Sequence, residues 1–286
     1  MARVVFGAAL VALCVCMGTA VFAAGNVLFP KSLHLSRQVD DPITGTTVTI
    51  DEYCFGNRIV SVAGDRTVIV DYDKQQVTEI DRRAGTYSIS RFDEVASAAE
   101  LAAASSTRSI ATDVAKGGPT PDRWQVTPRG VGSSAYGRSV EQFEFAQPAG
   151  GRKVEVGVDR SVQLSVEAIE VLIGAAYPNP RRDEHEPLLR AAGASEATRA
   201  ISANRDAKTG EPQSYALPVM QATTYSDSGT EVTFRTTVTR IGAEAVPPEM
   251  LLIPPAAKQV ESKAASLKRQ LRDLDLPNSQ TTTQQP

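Results

Sequence analysis

The sequence predicts an α+β protein built mostly of antiparallel β-sheet. Three observations lead there: short runs of β-branched and aromatic residues alternating with polar ones, turn residues between them about every ten residues, and few helix-length apolar periods. The chain has 286 residues with 20 Gly and 17 Pro.

The N-terminus stands apart from that pattern. Arg3 is followed by an apolar run from Val4 to Met17 without an acidic residue, then Gly18, Thr19, Ala20 and Val21-Phe22-Ala23-Ala24-Gly25. This is the grammar of a secretory signal over 1–24, with cleavage after Ala23 or Ala24 and a periplasmic or secreted destination. The run is shorter than the ~20 residues of a spanning helix, so no transmembrane span is expected in the mature chain. Leu13 and Val15 precede Cys14 and Cys16, where lipoprotein processing wants a small residue.

The first strands are read at 32–38, 46–55, 58–62, 67–72, 76–80 and 86–92. They are broken by Asp40-Asp41-Pro42, Gly56-Asn57, Gly64-Asp65, Asp73-Lys74 and Arg83-Ala84-Gly85. That is an antiparallel meander. Alternation groups Val48 with Ile50, Val68 with Val70 and Tyr72, and Tyr87 with Ile89, and sends Ser88 and Ser90 to the other face. An Ala-rich stretch over 93–115 reads as a helix with Asp93 at its N-cap and Gly117-Gly118-Pro119 beyond its end. Strands resume at 124–127, 138–146 and 152–159, with Phe143 and Phe145 on one face and Val154, Val156 and Val158 on one face. A second helix is expected over 162–176, stopped by Pro178. Residues 179–213 read as a polar, partly helical surface excursion. A long hairpin follows (215–225, 230–241), with Val232, Phe234, Thr236 and Val238 facing one way. Residues 257–277 form an expected amphipathic helix with Val260, Ala264, Leu267, Leu271 and Leu274 on one stripe. The polar tail 278–286 carries no packing signal. The body of the fold is therefore placed at 25–256.

Composition narrows the function classes. Without residues 1–24 the chain keeps 29 basic and 33 acidic residues and one cysteine, Cys54. No internal disulfide is possible there, and Cys54, in an alternating strand, reads as a small buried side chain. No basic stripe tracks phosphates, so nucleic acid is not an expected partner. Catalytic motifs are missing: no Gly-x-Ser-x-Gly elbow, phosphate loop or His-Glu-x-x-His occurs. His185 lies in a solvated charge run over 181–186 and His34 in the first strand. Asp71 and Asp73 flank Tyr72 at a strand end, where ordinary turn chemistry accounts for them. Gly130-Val131-Gly132-Ser133-Ser134-Ala135 mimics a dinucleotide fingerprint but lies between hairpins and reads as a loop. No catalytic residue, metal site or cofactor is expected.

Three segments carry a resemblance. Residues 67–92 place an aspartate-ended strand, a Lys turn, a second strand and a Tyr strand in order. Residues 135–145 pair with 153–159, and 247–260 read Pro-Pro-Glu-Met-Leu-Leu-Ile-Pro-Pro-Ala-Ala-Lys-Gln-Val. This order resembles the periplasmic lipoprotein-carrier superfamily, the LolA/LolB-like fold, and an exported branch of it. Where that branch has Gly-Tyr-x-Cys, this chain has Ala135-Tyr136-Gly137-Arg138-Ser139, and Gly157 stands where an aromatic is usual. The resemblance implies a half-open β-barrel wrapped around one or two helices, with a cavity for lipid or lipoprotein acyl chains. Its expected liners are Val48, Ile50, Val68, Val70, Tyr87, Ile89, Phe143, Phe145, Val154, Val156 and Phe234. The function expected is carriage or sensing of a hydrophobic ligand. The alternative is an envelope structural or interaction protein with a filled interior and a protein partner.

Overall fold

A computed structural model describes residues 27–99, 101, 124–147, 151–174, 182–194, 214–227 and 230–275. The expected signal, the helix beyond residue 101, most of 179–213 and the tail lie outside these. Twelve strands form one sheet in the order β12-β6-β5-β4-β3-β2-β1-β11-β10-β9-β8-β7. Every neighbouring pair is antiparallel except β12 with β6. β7 and β12 are its edges, so the sheet is open.

The meander follows the sequence pattern closely: β1 Phe29–Asp41, β2 Thr46–Gly56, β3 Arg58–Ala63, β4 Arg66–Asp71, β5 Gln76–Asp81 and β6 Thr86–Arg91. Gly56 and Gly85 hold positive φ, 55° and 62°, at two of its tight turns, where a Cβ would be strained. β7 (Gln125–Ser133), β8 (Ser139–Gln147) and β9 (Arg152–Ser165) form the second meander, and β10 (Ser214–Asp227) with β11 (Thr230–Gly242) closes back onto β1. Residues 130–133, expected as a loop, pair in register with β8. A bulge between Pro128 and Gly130 lets the strand continue past the proline.

Register sorts the side chains of β1–β6 into rows on one face, here the inner face. The first row is Leu33, Cys54, Ile59, Val70, Val77 and Ser90. All six are buried. The second row is Leu35, Glu52, Ser61, Val68, Glu79 and Ser88. In the third row Arg37 opposes Ile50, and Arg66 lies between Ala63 and Asp81. The same face continues through Val238 and Gln221 to Val156 and Phe143.

Short helices cover parts of this face. α1 (92–99) buries Phe92, Val95 and Ala98 against the first row. α2 (Val166–Leu172) is shorter than the expected 162–176 helix, because Val162–Leu164 continue β9 and the Ser165 side chain caps by accepting from the Ala168 N–H at 3.1 Å. α3 (Arg182–Ala194) places Leu188 and Ala191 on Phe143, Phe145, Val154 and Val156, and its Ala192 in the first-row core. α4 (Lys263–Asp275) starts later than expected, at a Ser262 cap that accepts from Ala265 N–H; of its expected stripe Ala264 is buried, while Val260 and Leu267 are exposed.

Residues 243–257 cross the outer face instead. Glu244 meets His34, Thr67 Oγ1 donates to Met250 Sδ at 3.8 Å, and Arg82 Nη2 donates to the Glu249 carbonyl at 2.7 Å. The chain then pairs as β12 (Lys258–Gln259) with Thr86 and Tyr87 and turns under the edge into α4. This strap explains why Val60, Ile80 and Thr67 of the outer face are buried although alternation treats that face as solvent.

Cys54 is 1% exposed, and burial pushes its thiol well above its ordinary pKa. The Cys54 thiol of the chain lacking residues 1–24 is therefore expected to resist a thiol reagent in the folded protein and react fully once unfolded; rapid labelling of the native state would contradict this packing.

Candidate functional site

The inner face is covered unevenly. α1, α2 and α4 press on the first row, and α3 presses on β8–β10. Among the described residues only the start of α4 reaches rows two and three of β2–β6, and a cavity of about 550 Å³ lies there. That volume falls in the roughly 300–1,000 Å³ range of small-molecule sites.

Its floor is Val48, Ile50, Ala63 and Val68, with the hydroxyls of Ser61, Ser88 and Thr86 among them. The end of the strap and the start of α4 supply Val260, Glu261 and Lys263 as a wall. The rim carries both signs: Asp65, Arg66, Glu79, Asp81 and Arg83. Lys263 Nζ lies 2.5 Å from Glu79 Oε2, tying α4 to β5 across the cavity, and Arg66 meets Asp81 at 3.5 Å. An apolar floor with a charged mouth can bury a hydrocarbon chain while leaving a polar end near water, at roughly 25 cal/mol per Å² of apolar surface removed.

The expected liners divide into groups. Val48, Ile50, Val68 and Tyr87 line the cavity, Tyr87 from the edge strand, where its hydroxyl reaches Gln259. Val70 lies in the packed first row. Ile89 opposes Thr78 and shares the outer face with Tyr87, whereas Ser88 and Ser90 point inward. Alternation alone gives two faces without saying which is inner, and the strap makes both partly apolar. Phe143, Phe145, Val154 and Val156 form a filled core under α3, with Phe145, Val154 and Val156 wholly buried. Phe234 packs edge-on against Tyr225 at 6.1 Å.

Sequence reasoning missed Lys263, Glu79, Ser61 and Ser88, which are polar residues at inward positions. It also missed a buried ion pair beside the cavity. Arg37 Nε donates to Glu52 Oε2 at 2.6 Å, with side chains only 11% and 9% exposed. The signal was available in principle: Glu52 sits in phase with Ile50 and Cys54, at an inward position of its strand.

The other titratable groups are structural. His34 places Nε2 3.0 Å from Asp51 and Nδ1 3.1 Å from Glu244, and stacks on Tyr53 at 4.3 Å, all on the outer face. Hydrogen bonds, including the one from His34, hold the Glu244 carboxyl below its ordinary range. Asp71 accepts from Arg58 Nε at 2.9 Å and from the Lys74 N–H, and Asp73 accepts from Asn57, which is turn and strand-end chemistry. Asp159 accepts from Tyr136 Oη at 2.8 Å; burial first, then this carboxylate, pushes the Tyr136 phenol up. Among the described residues no group of three His, Cys, Asp or Glu could hold a metal ion. The His185 side chain lies outside them.

No family model matches the chain, and no curated protein matches it. Solved structures give distant likenesses. An uncharacterised conserved protein from Thermus thermophilus is similar over 82% of this chain and 92% of that one, at 9% identity and a TM-score of 0.38. PNGF-II is similar over 85% of this chain but 33% of its own, at 8% identity and a TM-score of 0.34. Likenesses this distant transfer neither a site nor an activity.

The Lys263–Glu79 contact is half exposed on the lysine side, so its net contribution to stability is small. For Lys263→Ala the expected melting shift is under about 4 °C. Amide exchange should meanwhile accelerate in 258–271 and stay unchanged in β1–β4. Unaltered exchange in α4 would show that the contact does not hold it.

Proposed function

We propose that this protein binds the apolar chain of a lipid-like ligand in the cavity over β2–β6, acting as an exported carrier or sensor. The carrying observation is the cavity itself: aliphatic side chains at Val48, Ile50 and Val68 line it on the inner sheet face, and among the described residues α4 is the helix that walls it. Apolar lining facing water-filled space is unfavourable, and a ligand chain that fills the space takes that lining out of water. In this reading the sheet behaves as a half-open barrel around its helices, and α4, anchored by the buried Ala264, is the element that moves to admit the chain. Export follows from the signal-like N-terminus. No helix among the described residues is long and apolar enough to cross a membrane.

A second reading draws on the β8–β10 half, where α3 fills the space over Phe145 and Val154. If the first half closes likewise in solution, the protein is an envelope structural or interaction protein.

Native mass spectrometry of protein purified without detergent from an exporting cell separates the two. Ligand carriage predicts lipid-sized adducts on the wild type and their loss in Val68→Trp, whose indole fills the floor. The same variant should weaken binding of the neutral apolar dye N-phenyl-1-naphthylamine by about tenfold or more, the equivalent of about 1.4 kcal/mol. A bare protein with dye binding indifferent to Val68→Trp contradicts the proposal and favours the filled interior.

A further inference from the structure

We propose that the cavity selects chains joined through an uncharged carbonyl, an ester or amide, which Arg37 recognises; this rests on the chain-binding reading above. Arg37 and Glu52 lie beside the cavity on its β1 side, outside its lining. Arg37 is the direct cross-strand partner of Ile50, and Glu52 of Ser61, and both partners line the cavity. A chain lying on Ile50 and Val68 and running on towards β1 would meet this pair.

The pair is incompletely satisfied. Glu52 engages Arg37 through Nε, while Arg37 Nη2 is buried and has no hydrogen-bond partner among the described residues. A guanidinium nitrogen left without an acceptor in the interior is costly, and native structures rarely keep one without a reason. An oxygen brought in by the ligand removes that cost.

Charge decides which oxygen. Glu52 already balances Arg37, so a carboxylate or phosphate close enough to accept from Nη2 would also stand near the Glu52 carboxylate, and like charges in a poorly solvated site repel. The rim adds no net positive charge, with Asp65, Glu79, Asp81 and Glu261 against Arg66, Arg83 and Lys263. A carbonyl accepts the hydrogen bond without adding charge. The carbonyl end of an acyl ester or amide fits, whereas a free fatty acid meets repulsion and an alkyl ether oxygen is a weaker acceptor for Nη2.

Displacement of N-phenyl-1-naphthylamine tests this with methyl dodecanoate, N-methyldodecanamide, dodecyl methyl ether and dodecanoate. The wild type is expected to prefer at least one carbonyl compound over ether and dodecanoate by about tenfold, the scale of one hydrogen bond. Which of the two leads tells ester from amide. Arg37→Met should erase the preference, weakening the carbonyl compounds more than the ether. Because that variant strands a buried Glu52, the Arg37→Met, Glu52→Met pair, which leaves no charge, serves beside it, with circular dichroism confirming the fold. Equal displacement by ether and carbonyl compounds, or tightest binding of dodecanoate, overturns the selection while the cavity stands. Failure of every compound, and of the dye itself, overturns the chain-binding reading as well.

Discussion

The helices among the described residues pack on part of this sheet's inner face and leave a cavity beside them. β1–β6 offer rows of six inward side chains, and α1, with three buried residues, packs on the first. Everything in the functional reading follows from that cavity. Where the first row packs, burial stabilises by roughly 1.5–3 kcal/mol per aliphatic side chain. Beside that row, the same aliphatic chemistry at Ile50 and Val68 lines a cavity, which in the proposed reading serves as a binding surface. The polar side chains of the second row, Glu52, Ser61 and Ser88, are themselves buried.

The C-terminal strap answers a second need. An exposed edge strand invites pairing with other chains. β12 occupies part of the β6 edge, with Lys258 N–H bonding to the Gly85 carbonyl and Val260 N–H to the Tyr87 carbonyl. At the far edge, β7 carries Pro128, Arg129 and a bulge, devices that discourage pairing. The strap also joins the two faces mechanically. It is pinned outside at His34 and Thr67, then delivers Lys263 to Glu79 inside. α4 is thus held by a short edge pairing, a half-exposed ion pair and its buried Ala264.

The strands were legible because turn residues such as Gly56 and Gly85 and period-two alternation are local signals. β9 ran past its expected end because Val162 and Leu164 keep the strand pattern until Ser165 offers a cap. What sequence could not supply was the handedness of each face. Tyr87 and Ile89 look inward by hydrophobicity, yet the strap over the outer face makes an apolar outward residue tolerable, and Ser88 and Ser90 turn inward. The candidate site was half readable for a related reason. Val48, Ile50 and Val68 share the alternation of Val70 and Val154, and only the placement of helices distinguishes an open floor from a packed core. Arg37 and Glu52 were hidden because each sits singly among apolar neighbours on strands far enough apart in sequence that their pairing is a tertiary event.

The central claim is that the open stretch over β2–β6, and not the packed stretch over β8–β10, accepts an apolar chain. Isotope-filtered nuclear Overhauser spectra of methyl-labelled protein with an unlabelled dodecyl chain test it most directly. The account predicts contacts from the chain to the methyls of Val48, Ile50 and Val68 and none to Val154 or Val156. Contacts confined to Val154 and Val156, or a chain that contacts no inner-face methyl at all, would contradict it.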